Sequence, residues 1–386
     1  MNTQWIAGWR CALNSPFETL VLIPSRSFSS QTLRQIAHLD GGGQSLRLRI
    51  DNRFGKKPLE IGAARVALRI SGDRVDLGTD AGVRFDGSSA VTVPAGQETV
   101  SDSVQLSVKA GDDLAVSMYL PSDTGLATYS NAALETAFVA DGDQVSAPSL
   151  RNVEPVTERY FLSGVDVAAE SGARVGVALG DSLTAGALTT INTNHRYPNR
   201  LNRRLEHSWV VNQGLGGNRL LTDEIGQRGL KRLEHDVLAT PGAGTVLVNL
   251  GVNDLGIAGG LGLADANPGP PPTQKNLIDG FTELADTCHA QGLLVILATI
   301  PPFAGALYPG FDTPQGRDVR REVNEWIRTT SVVDSVADFA QVLADPEDVD
   351  RLHPHFNSGD FVHPNDAGAK AMADSIDVAL LLRPGR

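Results

Sequence analysis

Val175-Gly-Val-Ala-Leu-Gly-Asp-Ser-Leu-Thr-Ala-Gly186 is the stretch whose reading decides the fold. Its first five residues are small or branched apolar side chains, a composition that suits a strand buried on both faces. Gly180-Asp181-Ser182 breaks the run, and Gly180 permits a tight turn where a side chain would collide. Ala185 and Gly186 keep the floor of that turn low. Open parallel sheets place their ligands at the carboxyl ends of their strands, so Ser182 stands where a nucleophile would be needed. The plain alternative is a turn with no chemistry. Deciding between the two requires a base, an orienting acid and an oxyanion site elsewhere in the chain.

Outward from this stretch, strands and helices alternate. Pro198 to His207 is predicted helical, with Leu201 and Leu205 on one face and Pro198 in the first turn. Trp209 to Asn212 is predicted as a second strand, Arg228 to Leu238 as a helix and Gly244 to Leu250 as a third strand. Lys275 to Gln291 reads as a helix closed by Gly292. Leu293 to Ala298 reads as a fourth strand, Gly316 to Arg328 as a helix, Val332 to Phe339 as a fifth strand and Asn365 to Leu382 as a closing helix. Such alternation predicts a parallel sheet with helices on both faces. Gly256 to Pro272 is rich in Gly, Pro and Ala and is expected to be a mobile loop.

The first part of the chain has a different texture. Ser45–Ile50, Ala64–Ile70, Ala90–Val93, Ser103–Val108 and Asp113–Leu120 are short alternating segments separated by turn residues, the pattern of an all-β sandwich or jelly roll. Leu46, Leu48 and Ile50 alternate with Arg47 and Arg49, as in a strand with one wet face. Two domains are therefore expected, a β domain over residues 1–168 and an α/β domain over 169–386, consistent with a chain of 386 residues. The β domain is expected to serve as a spacer or lid. A carbohydrate-binding face is the alternative, although no cluster of aromatic residues announces one.

A net charge of −12 argues against a nucleic-acid partner, because such a surface repels phosphate backbones. Cys11 and Cys288 fall in different expected domains and have no metal-ligand spacing, so neither a disulfide nor a metal centre is expected. The apolar run from Gly292 to Phe303 is too short for a membrane span. The first residues lack the basic and apolar regions of a secretory leader, so the chain reads as cytoplasmic, or as a mature form whose leader has been removed.

Three clusters supply the missing chemistry. Asn212-Gln-Gly-Leu-Gly-Gly-Asn218 follows the second strand, and its glycines expose backbone N–H groups able to stabilise a developing negative oxygen. Gly251-Val-Asn-Asp254 follows the third strand, and the Asn253 amide is a donor that does not ionise. Asp360-Phe-Val-His363-Pro-Asn365 precedes the last helix, and there Asp360 can hold one imidazole nitrogen while the other faces Ser182. Each cluster also has a bland explanation: a flexible turn, a helix cap by Asn253 or Asp254, and a packed turn with Asn365 as cap. Their joint occurrence in this order, each at an expected strand end or turn, favours the chemical reading.

From Val175 to about Leu382 the chain resembles the SGNH, or GDSL, hydrolase family. The resemblance implies a three-layer α/β/α, flavodoxin-like parallel sheet. It implies Ser182 as nucleophile, Asp360 and His363 as its partners, and an oxyanion hole from Ser182, Gly217 and Asn253. Gly214 and Gly216 lie close enough to Gly217 to be alternatives. No cofactor and no metal are implied. The segment from Trp5 through Arg53-Phe-Gly-Lys-Lys-Pro58 to Tyr129 resembles the β-sandwich that precedes this domain in one bacterial branch. The expected activity is hydrolysis of carboxylic esters, with short acyl or acetyl chains favoured. Alternatives are a carbohydrate acetylesterase or an acyltransferase using the same residues, or a non-catalytic carbohydrate-binding protein. An α/β-hydrolase is disfavoured, because Thr184 stands where the Gly-x-Ser-x-Gly elbow needs its second glycine.

Overall fold

The structure is a computed structural model and describes residues 3–258 and 271–381. The chain forms two units, one of Met1–Phe17 with Val21–Ala173 and one of Glu18–Leu20 with Arg174–Arg386.

Beside two small two-stranded ladders, the first unit, all-β among the described residues, carries two larger antiparallel sheets. Four strands form one of them, in the order Thr3–Arg10, Leu162–Glu170, Leu46–Asp51, Glu98–Val100. The other is centred on Gln31–His38, Asp113–Leu120 and Ala63–Ser71. Leu162–Glu170 is buried along nearly its whole length, including Asp166. A buried carboxylate is costly unless paired. Arg10 and Arg49 meet Asp166 at 2.5 and 3.0 Å, and Arg47 lies 3.5 Å away. The arginine face of Leu46–Asp51 is thus half-buried around a charge, not the wet face that its alternation implies. The expected strand at Ser103–Val108 is absent. Only isolated bridges form at Val104 and Val108, because the Leu106 N–H turns back to the Val104 carbonyl at 3.0 Å and leaves the ladder.

Among the described residues, the second unit is built on five parallel strands in the spatial order Ser208–Gly214, Arg174–Gly180, Ala243–Asn249, Leu294–Ala298, Ser335–Ala337. Numbered along the chain this is 2-1-3-4-5, the flavodoxin-like order, whose switch point lies between the first and third strands. Alternate strand residues face opposite layers. Ala178, Val210, Leu247 and Ile296 pack with Tyr197, Phe339 and Met372, side chains of the helices on one side. Leu179, Val248 and Leu297 are equally buried on the other face, where the helix Gln274–Ala290 contributes Leu277, Phe281 and Leu284. That helix ends as expected, with Gly292 at φ 78°. Its Thr273 and Asn276 make a reciprocal capping pair at the start.

Several elements differ from the sequence reading. The helix expected to His207 stops at Asn202, whose side-chain amide instead pairs with the Val210 backbone and ties the helix to the second strand. Arg228–Leu238 is one α-helical turn, Gly229–Leu233, running into a π-helical turn, Glu234–Leu238. The fifth strand is only Ser335–Ala337, since Asp338 caps a new helix, Phe339–Leu343. The closing helix is Asp366–Ser375, followed by a separate 3-10 turn at Val378–Leu380 that Asp377 caps. Leu382, and residues 259–270 of the expected loop, lie outside the described residues.

Phe339 is fully buried, and its ring meets Tyr197 edge-on at 5.4 Å. Phe339→Ala is expected to destabilise the α/β unit by about 3–5 kcal/mol, the usual cost of such a cavity. Urea unfolding should show a lower midpoint with an unchanged slope, and a midpoint equal to the parent's would contradict this packing.

Candidate active site

The parallel register sets the level of the site. Gly180 pairs with Gly214 on one side and with Asn249 on the other, so three strands end together. The turns that follow carry Ser182, Gly217 and Asn253 along one edge of the sheet. Gly180 and Gly214 are required by close approach. A Cβ on Gly180 would lie 2.0 Å from the Thr184 hydroxyl, and one on Gly214 would lie 2.1 Å from the Ala185 nitrogen. Hence Gly180 serves packing of the turn Ser182–Ala185 onto the strand ends, and its φ is not in the left-handed region.

Ser182 opens that single helical turn. Asp181 caps the turn by accepting from the Leu183 N–H at 2.9 Å. Asn212 and Asn249, from the flanking strands, donate to the Thr184 carbonyl and hydroxyl at 2.8 and 3.4 Å. Ser182 itself is 8% exposed.

His363 arrives from the other end of the chain. Its Nε2 lies 2.8 Å from Ser182 Oγ and its Nδ1 lies 2.5 Å from Asp360 Oδ2. The turn that carries both residues is tight, with Gly359 at φ 115° and Phe361 at φ 63°. Asn365 caps the helix just beyond it, accepting from Ala367 and Gly368 N–H groups. Capping by Asn365 and the imidazole contact by His363 thus coexist. Burial alone would raise the Asp360 carboxyl. The His363 ring and the Val362 and His363 N–H groups outweigh it and hold Asp360 well below the usual carboxylate range.

Gly217 has φ 77°, and a Cβ there would come within 2.8 Å of Ile225, so only glycine fits. Gly214, considered as an alternative, is the last residue of its strand and packs beneath Ala185. Asn253 is buried and donates to the Asn218 carbonyl at 3.1 Å. Its neighbour Asp254 accepts from the Leu220 and Leu221 N–H groups at 2.7 and 3.0 Å. The turn after the third strand thus grips the segment after the second.

Two residues of this neighbourhood were not singled out by sequence. Arg232 donates to the Gly180 carbonyl at 2.6 Å, the Gln213 carbonyl at 2.8 Å and the Asn218 side-chain oxygen at 2.9 Å. Its charge is met by Asp236 at 2.7 Å. The only sequence cue was the Arg–Asp spacing of four within an expected helix. Tyr308 donates to Asp360 Oδ2 at 2.9 Å, and its cue was no more than a place in the Pro301–Gly316 loop.

Asp181 is fully buried, and its Oδ2 has no hydrogen-bond partner among the described residues. Burial, reinforced by Asp254, outweighs the Leu183 N–H and Arg232 and pushes its carboxyl up to about 7. The unfolded chain releases this proton near 3.8. Between those values the folded state binds more protons, so ionising Asp181 costs stability as pH rises. Asp181→Asn keeps the cap. Its stability relative to the parent is expected to grow from about pH 4 to pH 7 and then level off. Urea unfolding across that range checks this, and a pH-independent difference would rule it out.

Residues 178–371 match the GDSL-like Lipase/Acylhydrolase family. No curated protein matches the chain. Solved structures similar to it include a GDSL-like lipase from Bacteroides thetaiotaomicron, 18% identical over 55% of this chain and 90% of that one, with a TM-score of 0.41. The native aryl esterase of M. smegmatis is 16% identical over 52% of this chain and 95% of that one, with a TM-score of 0.42. A family two carbohydrate esterase from Cellvibrio japonicus is 12% identical over 97% of this chain and 95% of that one, with a TM-score of 0.35. With half of its length matched by that family, and with Ser182, Asp360 and His363 inside the match, this chain belongs to the GDSL-like lipases and acylhydrolases.

Proposed function

We propose that the protein is a serine hydrolase that cleaves carboxylic esters, with short acyl or acetyl groups favoured, through an acyl-serine intermediate. The observation that carries this reading is the continuous relay from Ser182 Oγ to His363 Nε2 at 2.8 Å and from His363 Nδ1 to Asp360 Oδ2 at 2.5 Å.

His363 removes the Ser182 proton as the oxygen attacks the ester carbonyl. The Ser182 oxygen–carbon bond forms, and the carbonyl electron pair moves onto its oxygen. The Ser182 and Gly217 N–H groups and the Asn253 amide receive that oxyanion. As the carbonyl re-forms, the bond to the alcohol breaks, and His363 gives its proton to the leaving oxygen. Water then repeats the sequence and frees the acid. Asp360 fixes the imidazole tautomer and stabilises the imidazolium. No cofactor enters this scheme.

Asn253→Ala is expected to lower kcat about 100- to 1000-fold, the usual cost of one oxyanion donor, while unfolding stays cooperative. Turnover near the parent's level would remove Asn253 from this role. Ser182→Ala should abolish labelling by an organophosphonate, and mass spectrometry finding the label on another serine would end the assignment. A panel of p-nitrophenyl esters of increasing chain length, run beside acetylated xylan and a competing alcohol acceptor, checks the substrate. Highest kcat/KM on acetate with free acid as product is the expected result. Preference for xylan acetate, or acyl transfer to the alcohol, would replace it.

A further inference from the structure

The Asp360–His363 pair has to be held at the right place relative to Ser182, which lies on a different part of the chain. Asp360 Oδ1 accepts from Ser358 Oγ, Val362 N–H and His363 N–H at 3.2, 2.9 and 2.9 Å. All three donors belong to the same turn as Asp360 and move with it. Such bonds shape the turn but do not fix where it stands. Oδ2 is the oxygen that meets the imidazole, and it also accepts from the Tyr308 hydroxyl at 2.9 Å. Tyr308 belongs to a separate segment.

That segment is itself anchored. Phe303 and Phe311 are buried and meet edge-on at 5.8 Å. The Tyr308 ring leans on Phe311 at 5.9 Å, and the Phe311 N–H donates to the Tyr308 carbonyl at 3.1 Å. The neighbouring Leu307 N–H donates to the Asp360 carbonyl at 3.1 Å, so two successive residues grip Asp360. The Tyr308 ring also stands edge-on to the His363 ring, 6.3 Å away at 86°. Tyr308 is 37% exposed, yet partial burial and the adjacent Asp360 charge push its hydroxyl up to about 12, so it remains a donor throughout the neutral range.

We propose that Tyr308 is a positioning residue for the hydrolytic reaction, its hydroxyl locking the Asp360 oxygen that orients His363 toward Ser182. The inference rests on the triad reading given above. Tyr308 touches neither Ser182 nor the reacting carbonyl in this scheme. Its hydroxyl acts only through Asp360, and this separates the proposal from a general effect on the fold.

Tyr308→Phe keeps the ring and its aromatic contacts and deletes only the donor. On p-nitrophenyl acetate it is expected to lower kcat about tenfold, the order of one hydrogen bond to a charged group, with KM within about twofold. The thermal midpoint is read alongside, and an unchanged midpoint is expected. The same substitution made in an Asp360→Asn background should cost less than about twofold, because the partner it acts through is already altered. A parent-like kcat for Tyr308→Phe, or an equal fold loss in both backgrounds, overturns the proposal. Ser182→Ala separates this result from failure of the reading beneath it. If Ser182→Ala is inert while Tyr308→Phe is parent-like, only the Tyr308 role falls. If Ser182→Ala still turns over, the triad reading falls, and the Tyr308 role with it.

Discussion

Three strands of the parallel sheet end at one level, and that register is the constraint on which the site depends. Gly180, Gly214 and Asn249 lie side by side, so the turns bearing Ser182, Gly217 and Asn253 start from a common line. Backbone hydrogen bonding in the parallel ladder sets this alignment. The 2-1-3-4-5 order then puts the Ser182 strand between the other two, beside the switch point where sheets of this kind open a crevice.

Two buried side chains hold that level in place. Arg232 reaches the end of the first strand, the end of the second and the segment after it, while Asp254 binds the backbone two residues further along that segment. Both are buried, and both are satisfied by several partners. Buried polar groups of this kind tolerate little change, because removing one partner leaves the other unsatisfied in a poorly solvating interior. Asp181 differs in that its Oδ2 has no hydrogen-bond partner among the described residues, and burial pushes its carboxyl up to about 7. The all-β unit solves the same physical problem differently, gathering arginines around Asp166 in the middle of a sheet.

Much of this was legible in the chain. Buried strands read as apolar runs, and helix ends were marked by Gly292 and by capping residues, because backbone geometry restricts which residues fit there. What failed did so for local and tertiary reasons together. Val332–Phe339 has the composition of a strand, yet Asp338 starts a helix that carries Phe339 onto Tyr197. Ser103–Val108 alternates like a strand, yet a local turn at Val104–Leu106 breaks its ladder. Arg47 and Arg49 alternate as solvent residues do, and no pattern in their own strand points to Asp166 more than 100 residues away.

By itself the sequence determined the types of group available: a serine after a buried strand, glycines after the next, an Asn–Asp pair after the third and an Asp–x–x–His turn before the last helix. These are local properties, set by residue chemistry and short-range backbone preference. Only the tertiary structure decided their convergence, the role of Gly180 as a close contact, and the partners Arg232 and Tyr308. Those depend on strand order and register and on loops meeting across the fold. Such contacts join residues remote in sequence, and neither periodicity nor composition encodes the distance between them.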